Sequence, residues 1–184
     1  MAFEGEYQWG PVNVGLLVGA ASGTDADYWG WRDRNNVATN KDLKTLSSHY
    51  FNPDYHVDEL LFRQVIGTVT NSFYVKPWFM YDFFESRKDA LALGLGILYG
   101  QAIETRATPG NDAPLGLEID VNLLYENAGV FYVGVTWATL VPFDGLDLAT
   151  DYGCTALNQN GRCQDSRIDS SWAMSLRGVF GVRF

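Results

Sequence analysis

The chain ends on SWAMSLRGVFGVRF, residues 171–184, and no other stretch restricts its fold so tightly. Trp172, Met174, Leu176, Gly178, Phe180, Val182 and Phe184 share one parity. Ser171, Ala173, Ser175, Arg177, Val179, Gly181 and Arg183 share the other. Side chains alternate across a strand, so one face is apolar and aromatic while the other carries two arginines. A strand of about ten residues built this way meets the needs of a bilayer-spanning β-strand. A sandwich strand at a domain end shows the same alternation, so the rest of the chain must decide.

This stretch resembles the C-terminal strand of Gram-negative outer-membrane β-barrels. Those proteins end in Phe, with apolar or aromatic residues at alternate positions before it. Phe184, Val182, Phe180 and Leu176 fill that pattern, and Gly178 is its weak position. The resemblance implies a bacterial outer-membrane location, with outer-membrane lipid around the wall. It also implies an assembly signal at Phe180, Val182 and Phe184, read by the barrel-assembly machinery.

The 184 residues suffice for one domain, 1–184. A formal net charge of −9 argues against nucleic acid, which needs a basic face. Aromatics at 15% and 19 glycines suit curved sheets and interfacial girdles. No apolar run reaches the roughly 18 residues of a transmembrane helix, which leaves a barrel open because its strands are half polar. Met1-Ala-Phe-Glu lacks the basic start and apolar run of a signal peptide. An exported chain needs one, so either it has been removed or the chain is a piece of something longer. Cys154 and Cys163, nine positions apart in a polar segment, read as a loop disulfide of an oxidising compartment.

Alternation recurs along the chain. Phe3 to Trp9 and Val12 to Ala20 read as a hairpin about Gly10-Pro11, with one lipid-like and one acidic face. Residues 22–52 read as a long polar loop. Asn52-Pro53-Asp54 looks like a helix start and Gly67 like its end, which predicts a helix over 53–67; a strand over 58–69 is the competing reading. Strands follow at Phe73–Phe83, Leu91–Tyr99, Leu115–Glu126 and Phe131–Val141. Pro77 demands an edge, a bulge or a locally open ladder. Gly94, Gly96 and Gly100 read as sites of bending.

The expected fold is all-β: an antiparallel transmembrane meander barrel of seven or eight strands, with a short helix in a long loop. Counting back from Phe184 on the periplasmic side puts 142–169, 101–114 and 22–72 outside and the short turns inside. That count has seven strands, whereas complete single-chain bacterial barrels have an even number, so it predicts the C-terminal part of a larger barrel. The eight-stranded alternative closes alone but places a long loop on the periplasmic side. FNPDYHVDELL followed by GTVTNSFYVKPWFMYD is similar to a segment of a myxobacterial outer-membrane barrel family. Its members are longer, with more strands upstream. That likeness implies location and architecture, not activity.

Glu4, Glu6, Asp82, Glu118, Asp120 and Glu126, with Lys76, Arg177 and Arg183, collect on the polar faces and are the expected pore-lining residues. Rings of carboxylates set the sign of permeant ions, so the reading is a porin-like passive pore for small hydrophilic solutes with weak cation preference. The alternative is a closed structural or binding barrel of the envelope, through a plug made from 53–67 or contacts of the Tyr28-Trp29-Gly30-Trp31 cluster. A lipid hydrolase ranks last. His49 and His56 are the two histidines, and nothing pairs them with Ser47, Ser48, Asp54 or Glu59 as a nucleophile and base. Enzyme activity, a cofactor and a metal are not expected. Asp25, Asp27, Asp144, Asp147 and Asp151 lack the spacing of a calcium loop.

Overall fold

The computed structural model describes residues 1–23, 49–52, 54–85, 89–110, 112–127, 130–147 and 169–182. Seven strands run β1 (Ala2–Trp9), β2 (Val12–Ala21), β3 (Ser72–Glu85), β4 (Asp89–Ala102), β5 (Pro114–Asn127), β6 (Phe131–Pro142) and β7 (Ala173–Val182). They form one meander sheet in sequence order, each strand antiparallel to the next. Among the described residues β1 pairs with β2 alone and β7 with β6 alone, so the sheet is not closed. An odd count makes β1 and β7 run in the same direction.

Connections segregate by length. Residues 10–11, 86–88 and 128–130 link strands at one end; 22–71, 103–113 and 143–172 link them at the other. The tight β1–β2 turn has Gly10 at φ +58°, a conformation that costs glycine little. Phe184, Arg183, Cys154, Cys163 and the Tyr28–Trp31 cluster lie outside the described residues.

Register carries each strand's alternation across the whole sheet. Val14, Phe79, Leu95, Val121, Trp137 and Leu176 form one cross-strand row. Gly15, Trp78, Gly96, Asp120, Ala138 and Ser175 form the neighbouring row on the opposite face. The first, outer face is apolar and open to the surroundings: Trp9 is 76%, Leu176 74% and Phe180 67% exposed. The second, inner face is covered over part of its area by residues 50–70.

Pro77 sits inside β3, opposite Leu16 of β2. On the β4 side the paired positions pass from Val75–Tyr99 to Trp78–Gly96 with none between, so the ladder opens where proline has no N–H to give. A register shift between Asp82 and Phe84 leaves Phe83 as the extra residue of a bulge.

Residues 50–70 fold inward. Tyr50 and Thr70 form a bridge that closes the neck of this excursion. The helix expected over 53–67 is narrower: Leu61–Ile66 alone is helical, and its geometry is π, with the Val65 N–H reaching the Leu60 carbonyl at 2.9 Å. Asn52 does not cap it; its side chain accepts the Asp54 N–H in a local turn. Gly67 ends it as expected, left-handed at φ +93°. This region adds no strand, which sets aside the eight-stranded reading. Val57, Leu60, Leu61 and Phe62 pack on Tyr74, Leu98, Leu115, Ala138 and Leu140 of the inner face, and this is the core.

Inner-face glycines give this packing its clearance. A Cβ on Gly15 would enter the Trp78 ring, one on Gly19 the Tyr74 ring and one on Gly181 the Tyr132 ring. A Cβ on Gly100 would stand 2.7 Å from Leu61 Cδ2, and one on Gly96 2.7 Å from Lys76 Cε. The role of Gly96 and Gly100 is thus room for neighbours, beyond the bending expected of them. Gly15→Ala should lower stability by about 1–3 kcal/mol through overpacking. Trp78→Leu in the same chain should recover part of that loss, which denaturant unfolding of the two single variants and the double variant will show as non-additivity.

Candidate functional site

The site lies where the inward segment meets the inner face of β3 and β5. A π-turn opens with backbone N–H groups that have no carbonyl to meet. Here each one is accounted for. Glu118 of β5 accepts the N–H groups of Glu59 (2.8 Å), Leu60 (2.9 Å) and Leu61 (2.7 Å). Asp58 accepts those of Phe62 (2.6 Å) and Arg63 (3.1 Å). The Leu60 carbonyl takes the N–H groups of Gln64 and Val65. Glu118 is 0%, Asp120 2% and Asp58 4% exposed.

Lys76 of β3 joins the two layers. Its ammonium donates to the Val57 carbonyl at 2.7 Å and to Asp120 Oδ2 at 2.5 Å. Its position beside Gly96 makes that reach possible. Asp120 Oδ1 is buried without a hydrogen-bond partner. Removing Lys76 strands the buried carboxylates around it and costs about 3–5 kcal/mol.

Two further strands hold the segment at its rim. Arg177 of β7 donates to Glu59 at 2.7 Å, and Arg63 donates to the same carboxylate at 3.0 Å. These pairs are partly exposed, so each contributes at most about 1 kcal/mol. The Tyr55 hydroxyl donates to Glu4 of β1 at 2.5 Å and lies 3.1 Å from the Tyr74 hydroxyl. Burial, then the bond to Glu4, pushes the Tyr55 phenol above its ordinary value.

Of the expected pore-lining residues, Glu4, Lys76, Glu118, Asp120 and Arg177 therefore converge on one segment. Asp82 does not join them. It accepts a hydrogen bond from Asn13 at 3.1 Å and, with Glu126, Met80 and Leu124, lines a separate cavity of about 230 Å³ toward the short turns. Glu6 shares the parity of Glu4 on β1, and Arg183 lies outside the described residues. The expected set omitted the segment's own Tyr55, Asp58, Glu59 and Arg63. The acidic pair Asp58-Glu59 beside Leu60-Leu61 was the available signal.

His49 stacks edge-on against Phe51, with ring centroids 5.9 Å apart. His56 lines a cavity of about 60 Å³ with Asp58 and Arg63, and Glu59 is held by two arginines. Asp147 accepts both the N–H and the hydroxyl of Ser170 at 2.8 Å. Among the described residues no group of His, Cys, Asp and Glu is arranged to hold a metal ion. No family model, curated protein or solved structure matches the chain.

Burial pushes the Asp58 carboxyl up to about 6, against the downward pull of the Phe62 N–H and Lys76. A carboxyl raised above its unfolded value stabilises the fold through its bound proton. That contribution is complete below the unfolded value of 3.8 and is lost as pH rises through about 6. Asp58→Asn should therefore flatten the fall in stability between those limits, measured by thermal unfolding across pH. Glu118→Ala leaves three N–H groups without their acceptor and should cost at least about 3 kcal/mol of docking, read as faster amide exchange at Leu60 and Leu61.

Proposed function

We propose that this chain forms the wall of a bacterial outer-membrane β-barrel. In this reading it is a porin-like passive pore for small hydrophilic solutes, with weak cation preference, narrowed by its inward segment. The observation that carries the reading is the outer face. Large apolar side chains are exposed on all seven strands, from Phe3 and Trp9 on β1 to Leu176 and Phe180 on β7. A soluble monomer rarely leaves such an area to water, whereas lipid covers it without cost. Aromatics also gather toward strand ends. Tyr125, Phe131 and Phe180 stack in series near the short turns, and Tyr99 packs on Phe143 at the other end. Such bands fit the two interfaces of a bilayer.

In this reading the long connections face outward and the short turns face the periplasm. In the same reading Phe180 and Val182, exposed on β7, serve as part of the signal for the assembly machinery. Antiparallel closure needs an odd number of further strands between the free edges of β1 and β7. Acidic residues outnumber basic ones among the expected pore-lining positions, which favours cations.

The four-strand grip on residues 55–63 favours a second reading, a closed structural or binding barrel. Planar-bilayer conductance separates the two. A pore should conduct, with a reversal potential in a KCl gradient of the sign for K⁺ over Cl⁻. Anion selectivity would count against the acidic lumen, and a silent bilayer with confirmed insertion would select the closed barrel.

A further inference from the structure

The carboxylates around the π-turn outnumber the cations that face them. Asp58, Glu118 and Asp120 lie together; Asp58 acts electrostatically on Glu118, and the Glu118 and Asp120 carboxyls are within hydrogen-bonding reach of each other. The ammonium bonded into this group is that of Lys76. Arg63 and Arg177 are committed to Glu59, which sits at the rim. Glu4 is held by Tyr55, whose hydroxyl meets that of Tyr74, and His56 faces Asp58 across the small cavity. With all three carboxyls ionised, Lys76 leaves two negative charges uncompensated at positions almost sealed from water. Burying unpaired charge is costly, and the available relief is a proton. Asp120 Oδ1 is buried and unsatisfied while both carboxyls are ionised, and a proton held between Glu118 and Asp120 supplies the missing bond.

We propose that docking of residues 55–67 on the inner wall takes up a proton into the Asp58–Glu118 carboxyl pair beside Asp120, so that the segment is latched in acid and released as that pair ionises. Released, residues 55–63 withdraw the apolar side chains that cover Leu98, Ala138 and Leu140 and uncover the acidic inner wall. The latch stands on the contacts themselves. Its consequence for solute passage rests on the pore reading above.

Hydrogen exchange followed by mass spectrometry on the full chain in lipid nanodiscs tests it. The readout is protection of residues 59–65, corrected for the intrinsic pH dependence of exchange. Protection should be at least about tenfold greater near pH 5 than near pH 8. Asp120→Asn removes one charge and keeps an oxygen for Lys76, so it should preserve protection at the higher pH. Lys76→Met should lose protection at both, while the sheet peptides of β4 and β5 stay protected. His56→Gln should leave the pH response in place, and loss of the response in that variant overturns the latch. Flat protection in the native chain, or a response unaltered by Asp120→Asn, overturns the latch. Conductance recorded alongside keeps the two claims apart. A pH-dependent segment without conductance refutes the pore and spares the latch, and conductance with a flat segment does the reverse.

Discussion

Seven consecutive backbone N–H groups, from Glu59 to Val65, find acceptors in a turn whose middle is buried, and three of them find one carboxylate. Glu118 supplies that acceptor from the middle of a strand. Without it the turn could not lie against an apolar wall, because an orphaned buried donor costs more than the contacts around it return. The π geometry follows from the same demand. Asp58 takes the N–H groups of Phe62 and Arg63, so the turn's own bonds begin only with the Leu60 carbonyl. Local hydrogen bonding, burial of Leu61 and Phe62, and attachment to the sheet are thus one event.

The wall is shaped to receive this segment. Tyr74 lies flat over Gly19, and Leu61 settles over Gly100. Trp78 over Gly15 and Tyr132 over Gly181 repeat the arrangement, each large ring facing a position with no Cβ. Lys76 belongs to the same scheme: its stem crosses Gly96 to bring the ammonium between Val57 and Asp120. Outside, no such pairing is needed, and large apolar residues follow one another strand by strand.

Strands were legible in the sequence because a period of two is strict and register preserves it from neighbour to neighbour. Even Leu124, the exception to its strand's alternation, keeps its place and lines the cavity with Glu126. The segment was less legible. Leu60, Leu61 and Phe62 are adjacent and all buried, a pattern that fits neither an α-helix nor a strand, and the π-turn is what reconciles them. The acidic residues could be assigned to one face by parity alone. What they grip could not, since Glu118 meets Leu61 across 57 positions and Arg177 meets Glu59 across 118. Sequence spacing carries no trace of contacts that long.

The bridge between Tyr50 and Thr70 gives the inward segment an architectural independence. Its two ends stand beside each other, with Phe51 N–H bonded to the Val69 carbonyl just inside the neck. The intervening residues behave as an appendage hung from a clasp. The clasp closes the excursion by backbone bonds, independently of the side-chain contacts that bind residues 55–63 to the sheet. The segment that covers the inner face is therefore tied at its own base as well as to the sheet, and its two ends need no further support from the strands they leave and rejoin.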